Sequence, residues 1–347
     1  MHPAALEPFT RHAGGLLMST TLEPADTPVP PAPTSGIRGA AVRRGDRTFA
    51  GLSRLAGVVI LGTMASIAIF LIWKAIPGLQ ANTVNFFTTK EWFPDQTPSV
   101  FGIAALTFGT LMTAAIAMVL AVPVGVGIAL FIAHYASRRL ATVLGFVTDL
   151  LAAVPSIIFG MWGLEFLTPH IQGLTQWLND YLGFIPLFAN TQGIYTKSIF
   201  IAGVVLAIMV LPTVSAITRE VFVQVPRSHI EAALALGATR WEMVRMAVFP
   251  FARPGMVSAS MLGLGRALGE TIAVALILSA SYDINPHITE PSGNTFAANI
   301  ALRWNEAGTI GLSALVASGL VLFVITLAVN MAARLVIARR SEFAGAA

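Results

Sequence analysis

The stretch RSHIEAALALGATRWEMVRMAVFPFARP, residues 227–254, is the longest polar interruption in the apolar second half of this chain. It carries two helix-start signals in tandem, because a hydroxyl residue is followed three positions later by a glutamate in both Ser228/Glu231 and Thr239/Glu242. In such a capping box, each side chain binds a backbone N–H that the start of a helix leaves without a partner. The stretch therefore predicts two short helices in succession.

Gly237 predicts the turn between these two helices. The first helix, residues 230–236, needs a residue with positive φ at its end, and glycine adopts that conformation without steric cost. Pro250 limits how far the second helix runs unbroken. The residue pattern leaves two interpretations open: an ordinary amphipathic surface helix, or an element that docks in a cleft of another protein. The small and apolar residues that would enter such a cleft are Ile230, Ala232, Ala233 and Leu236.

The spacing of the EAA triplet at residues 231–233, Gly237 and the Phe-Pro pair at residues 249–250 resembles the EAA signature of ABC importer permeases. In that family this loop docks on the ATPase subunit. The whole spacing is specific, whereas any triplet within it is not. The resemblance implies an ATPase-coupling role for four residues: Glu231, Ala232, Ala233 and Gly237.

Two further segments narrow the resemblance. GLGRALGET at residues 263–271 and AAVPSIIFGMWG at residues 152–163 resemble the permease subunits of phosphate-specific (Pst) importers, most closely the C type. The similarity covers roughly residues 55–340. It implies a type I ABC importer permease fold, with a second permease, ATPase subunits and an external phosphate-binding protein as partners. It also implies inorganic phosphate as the solute.

The composition independently indicates an integral membrane protein. The chain of 347 residues is 55% hydrophobic and 11% charged, with a mean hydropathy of +0.75, so it lacks the polar surface of a soluble globular protein. Six apolar runs reach the length of about 20 residues that a membrane helix needs. The sequence therefore predicts an all-α polytopic protein in contact with membrane lipid. The six predicted spans are residues 55–73, 103–134, 143–167, 198–217, 256–281 and 310–334.

Basic residues predict the orientation of the chain in the membrane. The net charge of +4 does not indicate nucleic-acid binding, because basic residues in a membrane protein mainly mark cytoplasmic loops. They concentrate before the first predicted span, between the second and third, around residues 219–253 and after the last. Both termini and the coupling loop are therefore predicted to be cytoplasmic, and the resemblance to Pst permeases implies that the membrane is the bacterial inner membrane. Arg334 is interpreted as one of these topological charges.

Several classes of chemistry receive no support from the sequence. The chain has no cysteine, and none of its three lysines lies in a P-loop motif, so we expect ATP hydrolysis in a partner ATPase rather than here. We predict no catalytic residue, no cofactor and no metal site. The acids and the histidine of residues 282–308, including His287 and Glu290, are interpreted as parts of a solvated loop.

The predicted domain organisation is simple. Residues 1–54 contain a proline-rich run and no apolar period, which predicts a disordered cytoplasmic tail. Residues 55–340 form the permease domain, with the coupling loop at residues 227–250, and residues 341–347 form a second cytoplasmic tail. Pro155 predicts a break in the third span, where Asp149 is given a structural role in holding the broken helix.

The predicted fifth span contains two charged residues, Arg266 and Glu270. Their spacing of four residues places them on one face of a continuous helix, and charges within a membrane usually face a protein interior or a water-filled path. From the residues alone, an internal ion pair and a transport role are equally supported. The resemblance to Pst permeases implies that both lie on the transport path. Our hypothesis is that Glu270 orients Arg266 and accepts a hydrogen bond from the P–OH group of hydrogenphosphate, a proton that sulfate lacks.

The sequence thus predicts a permease subunit that moves inorganic phosphate by alternating access. The same superfamily also offers a permease for another oxyanion, such as sulfate or molybdate. Two interpretations from other classes remain open at this stage: a secondary transporter that works alone, and a scaffold without transport.

Overall fold

The computed structural model describes the backbone of residues 44–344 and the side chains of residues 48–335. This part of the chain is helical except for loops and one antiparallel pair of short strands, β1 (Trp92–Phe93) and β2 (Val100–Phe101). The predicted all-α class is therefore confirmed. The helices are α1 (Arg44–Ala81), α2 (Ala104–Leu130), α3 (Arg138–Ala152), α4 (Ser156–Trp162), α5 (Thr168–Leu182), α6 (Ile199–Val223), α7 (Arg227–Ala235), α8 (Arg240–Met243), α9 (Phe249–Leu268), α10 (Ile272–Ile277), α11 (Phe296–Arg303) and α12 (Thr309–Ala344).

Helices extend past both predicted boundaries of the permease domain. The chain divides into two units at Ile60, and the described part of the first unit is already helical from Arg44. At the other end α12 continues to Ala344. Residues 1–43 and 345–347 of the predicted tails lie outside the described residues. The predicted boundaries follow the ends of the apolar runs, whereas a helix can continue past such a run with charged residues on its last turns.

Four helices in the described part of the chain are long and apolar enough to cross a membrane: Thr48–Ala81, Ala104–Tyr135, Ile199–Val223 and Thr309–Leu335. A fifth candidate is the pair Arg138–Ala152 and Ser156–Leu182, which bends by 92° at the break between them. Pro155 lies at this break, as predicted, because proline removes a backbone donor and its predecessor avoids helical geometry. Asp149 forms a salt bridge with Arg219 of α6, with an Oδ2–Nη2 distance of 3.3 Å, in agreement with its predicted structural role.

The predicted fifth span, residues 256–281, is not one continuous helix. α9 ends at Leu268, and the six-residue α10 begins at Ile272. The start of α9 is also different from the prediction, because the helix passes through Pro250 without a break. A π-helical turn, Val244–Val248, directly precedes α9 and changes the hydrogen-bond register close to Pro250, where a proline disturbs it.

α6 is the central helix, since 67% of its apolar window is buried inside the protein. It packs most extensively against α2 and then against α9. Gly203 permits the close approach to α2, because a Cβ there would lie 2.6 Å from Cγ2 of Ile116. Small residues of this kind let membrane helices approach each other closely.

The middle of the loop between α10 and α12, residues 288–299, is largely buried, so the prediction of a solvated loop was wrong for Glu290, whereas Asp283 and Glu306 are exposed. Ile288, Glu290 and Asn294 are each at most 2% exposed. The loop packs against the segment before α6: the backbone N–H of Ile288 donates to Leu187 O, and that of Phe200 donates to Ile288 O. The composition of the loop resembled a solvated surface because its polar groups bind one another, and sequence composition does not reveal that pairing.

Candidate substrate path and coupling site

Arg266 lies in the last turn of α9 and reaches across to α6. Its Nη1 donates a hydrogen bond to Thr213 Oγ1 at 3.1 Å. Thr213 directly follows Pro212 within α6. Among the side chains of residues 48–335, the ion pairs join Lys90 to Asp283, Arg219 to Asp149 and Glu220, and Arg303 to Glu306. In this part of the chain Arg266 therefore has a neutral hydroxyl partner and no carboxylate partner.

Glu270 lies beyond the end of α9, so the prediction that it shares a helix face with Arg266 was wrong. Its side chain is 9% exposed, and its Oε1 accepts a hydrogen bond from the backbone N–H of Ala273 at 3.2 Å. Glu270 thus satisfies one of the donors that the start of α10 leaves without a helical partner. The expected contact with Arg266 is replaced by this cap, which exists only because the helix is broken.

A cavity of ≈ 1030 Å³ lies beside Arg266. Residues from α1, α6, α9 and α12 line it, and all of them belong to the second unit. No aspartate or glutamate of the described residues is among them, and Glu270 is not part of the lining. The polar lining residues are Thr213, Ser258, Arg266, Asn330 and Arg334. The other lining residues are glycine or apolar, so the charge of the cavity wall comes from its two arginines and is positive, which suits an anion.

Sequence reasoning placed Arg266 on a solute path but missed the other polar residues of the cavity. Arg334 was interpreted as a topological charge, and Asn330 was not considered. Their spacing of four residues within an otherwise apolar helix is the same signal that singled out Arg266 and Glu270. Ser258 and Thr213 carried no such signal, since hydroxyl residues are common in membrane helices.

The coupling stretch forms a helix, a tight turn and a second helix, as predicted. Gly237 has a φ of +82°, which confirms its role in the turn. The capping box of Thr239 and Glu242 is formed: Thr239 N donates to Glu242 Oε2 at 2.8 Å, and Glu242 N donates to Thr239 Oγ1 at 3.3 Å. These hydrogen bonds, from the backbone first and then from the hydroxyl, lower the pKa of the Glu242 carboxyl.

The first predicted capping box is absent. α7 begins at Arg227 with Pro226 as its N-cap, so Ser228 lies inside the helix and caps nothing. Proline restricts φ to a value that suits the approach to a helix, which moves the helix start upstream of the predicted residue 230. Glu231 consequently lies on the exposed surface of the helix rather than in a cap.

The four predicted coupling residues do not share one environment. Ala233 is 8% exposed and packs in a cluster with Val244, Val248 and Phe222. Glu231, Ala232 and Gly237 are exposed. Leu236, directly before the turn, is 87% exposed. The stretch is therefore anchored to the helical bundle through Ala233 and presents an apolar surface around the turn.

Comparison with known proteins identifies the family. The family model described as "Binding-protein-dependent transport system inner membrane component" matches residues 125–342. The chain belongs to this family. The prediction of a permease subunit, rather than an enzyme, is therefore confirmed, and the family description places such proteins in the inner membrane.

Curated relatives match nearly the whole chain. The phosphate transport system permease protein PstC 2 of Mycobacterium tuberculosis is 48% identical over 296 residues, covering 84% of this chain and 91% of that protein. PstC of Xylella fastidiosa is 41% identical over 334 residues, covering 94% and 100%. These relatives confirm the resemblance to Pst permeases of the C type. A solved bacterial ABC transporter involved in the import of the acidic polysaccharide alginate is 18% identical, with a TM-score of 0.49, covering 83% of this chain and 98% of that chain.

Proposed function

We propose that this chain is the permease subunit of an ATP-driven importer that moves inorganic phosphate across the bacterial inner membrane. The assignment of phosphate rests on relatives named as phosphate transport permeases that cover 84% to 94% of the chain. The observation that carries it within the molecule is the position of Arg266, which is bound to Thr213 in the wall of a cavity without carboxylates.

The proposed membrane topology has six spans. The four continuous helices, the bent pair and the broken segment α9–α10 each make one crossing, with both termini and the coupling stretch in the cytoplasm. A discontinuous crossing is acceptable in a membrane where the break faces protein or a water-filled cavity. The broken segment meets that condition, because Arg266 lines the cavity and Glu270 caps the break.

The coupling stretch is the proposed docking site for the ATPase subunits. Glu231, Ala232 and Gly237 are available on its surface, while Ala233 joins the stretch to the bundle. Closure of an ATPase dimer on ATP would push on this stretch, and its packing against Val244 and Val248 would carry the movement into α9. A second permease and an external phosphate-binding protein complete the proposed complex.

Arg266 is the proposed phosphate contact. A guanidinium keeps its charge at every physiological pH and presents a planar fork of donors that matches phosphate oxygens. Glu270 is the second proposed path residue. The hydrogen bond described for its carboxylate engages Oε1, which leaves Oε2 as an acceptor for the P–OH group of hydrogenphosphate, a proton that sulfate lacks.

The test is uptake of radiolabelled phosphate by cells that carry the intact chain or Arg266→Gln at equal membrane expression. We expect Arg266→Gln to lower phosphate uptake about 100-fold, the effect of losing one strong charge-assisted contact of about 2.7 kcal/mol. Arg139→Gln is the matched control, because it removes an exposed arginine that does not line the cavity.

Two results would contradict the proposal. Normal phosphate uptake in Arg266→Gln would show that the solute does not depend on this residue. Uptake of sulfate rather than phosphate by the intact chain would assign the cavity to another oxyanion. Deleting the partner ATPase separates both cases from a secondary transporter, which would continue to transport without it.

A further inference from the structure

Four helices line the cavity, and its polar residues extend along two of them, α9 and α12. On α12, the lining residues Leu327, Asn330, Met331 and Arg334 recur at intervals of three and four, which places them on one face. On α9, Ser258 and Arg266 lie eight residues apart on the lining face, and this separation corresponds to about 12 Å along the helix axis. The cavity is therefore long enough to offer an anion more than one position.

Arg334 is a second cation in the same cavity wall. It lies in the candidate membrane span Thr309–Leu335 of α12, and among the side chains of residues 48–335 no carboxylate is within ion-pair distance of it. A charge so close to the hydrocarbon is normally paired or faces water. In Arg334 the second condition holds, because the side chain borders the cavity.

The two arginines lie toward different ends of the cavity. α9 begins directly after the coupling stretch and places Arg266 only three residues before its break. In the proposed six-span topology, the segment α9–α10 crosses the membrane away from the coupling stretch. α12 is the next crossing and therefore runs back toward the side of the coupling stretch. Arg334, near the end of the α12 span, is then closer to that side than Arg266 is.

We propose that Arg334 and Asn330 form a second anion-binding position, on the exit side of the path whose first position is Arg266. The proposal rests on the proposed function and extends it to residues of α12. The guanidinium and the carboxamide NH₂ of Asn330, one helical turn apart, offer donors to the same oxyanion. With a second position of moderate affinity, the anion can move from Arg266 to Arg334 before it is released into water.

The proposal predicts that internal phosphate competes for the exit position. The experiment uses the complete transporter in liposomes, with its binding protein and radiolabelled phosphate outside and ATP with increasing unlabelled phosphate inside. We expect internal phosphate to slow uptake by the intact transporter. In Arg334→Gln, the internal phosphate concentration for half-inhibition should rise about tenfold, and in Arg334→Lys it should stay close to that of the intact chain. Arg139→Gln is the matched control and should be inhibited like the intact chain.

Each outcome decides the proposal. A half-inhibition concentration that is the same in Arg334→Gln and the intact chain would overturn it, as would uptake that internal phosphate does not slow at all. If Arg334→Gln abolishes uptake, Arg334→Lys decides: restored uptake with normal inhibition supports an anion contact, and loss of uptake in both variants assigns Arg334 to packing. Uptake without internal phosphate tests the proposed function separately, since Arg266→Gln is inactive there if that function is correct.

Discussion

Glu290 is buried and Arg266 is half-buried, and the two charged side chains differ in how many hydrogen bonds the protein gives them. The carboxylate of Glu290 is 2% exposed and accepts four hydrogen bonds, from Thr191 N (2.6 Å), Thr191 Oγ1 (2.8 Å), Gln192 Nε2 (3.1 Å) and Asn285 Nδ2 (2.6 Å). Arg266 is half-buried and donates one described hydrogen bond, to the hydroxyl of Thr213. One charge is saturated by the protein, and the other keeps most of its donors for a ligand.

The same contrast separates the two regions around these residues. In the loops around Glu290, the other charges are also used within the protein: Asp95 accepts from Gly308 N and Gly311 N at the start of α12, and Lys90 pairs with Asp283. In the cavity wall, two arginines face a space without a carboxylate partner among the described residues. A charge that is saturated internally stabilises the fold, whereas a charge that keeps its donors can bind a solute.

The largest effect on stability is expected at Glu290. Glu290→Ala removes the acceptor of four hydrogen bonds and leaves the donors of Thr191, Gln192 and Asn285 without it. Since one unsatisfied buried donor costs about 1–3 kcal/mol, we expect a loss of at least about 3 kcal/mol. The measurement is the thermal unfolding midpoint of the purified complex. Protein that remains folded should keep its preference for phosphate over sulfate.

Glu306→Ala is the matched control for this prediction. It removes an acid whose side chain is 68% exposed and pairs with Arg303, and such surface pairs contribute less than about 1 kcal/mol. A midpoint that falls equally in the two variants would remove the distinction between saturated and surface charges in this region.

Acid sensitivity sharpens the same prediction. Burial by itself raises the pKa of Glu290, but the hydrogen bonds from Thr191 and Asn285 and the charge of His287 outweigh it, so the pKa lies below its ordinary value of 4.5. A lowered pKa means that this contribution to stability is complete above pH 4.5 and is lost as the pH falls through the folded-state pKa. Glu290→Gln should therefore show a weaker loss of stability below pH 4.5 than the intact chain.

A smaller effect, on selectivity rather than stability, is expected at Glu270. Glu270→Gln keeps a side-chain oxygen that can accept from Ala273 N and removes only the negative charge. If the carboxylate accepts the P–OH hydrogen bond of hydrogenphosphate, the ratio of phosphate to sulfate transport should fall about tenfold, or about 1.4 kcal/mol. The measurement is uptake of both anions by the reconstituted complex.

Glu270→Leu separates the two possible roles of this residue. Leucine removes the cap of α10 together with the charge, so it should lower stability by about 1 kcal/mol in addition to its effect on selectivity. Selectivity that is unchanged in Glu270→Gln and lost only in Glu270→Leu would assign Glu270 a structural role alone. The cavity would then depend on its cations alone.

The sequence predicted those parts of this fold and site that depend on local signals. The apolar runs predicted four continuous spans, Pro155 predicted the bend in the third, and Gly237 predicted the coupling turn. Arg266 was identified because a charge in an apolar segment is conspicuous. In each case one residue type has a strong preference that its neighbours do not change.

The features that sequence reasoning missed depend on contacts between distant segments. The break after Leu268 was missed because the spacing of Arg266 and Glu270 also suits one continuous helix, and the sequence does not show that Glu270 caps a new helix. The burial of Glu290 was missed because its partners Thr191 and Gln192 lie about a hundred positions earlier in the chain. Arg334 was assigned to topology because hydropathy marks the end of a span but does not show which cavity the helix face borders.

The smallest effect is expected in the coupling stretch, where the sequence offers two equivalent capping signals and the structure forms one. Thr239→Ala removes a hydroxyl that accepts from Glu242 N and donates to Glu242 Oε2, and the loss of such a cap costs about 1 kcal/mol. Ser228→Ala should cost almost nothing, because Pro226 begins α7 and the Ser228 side chain caps no backbone group. Hydrogen exchange of the backbone amides of residues 240–243 and 228–231 measures both effects in the assembled complex. Faster exchange of residues 240–243 in Thr239→Ala, without faster exchange of residues 228–231 in Ser228→Ala, would confirm that only the Thr239/Glu242 box forms. Equal acceleration in the two variants would show that the Ser228/Glu231 box also forms and that the helix starts later, as the sequence predicts.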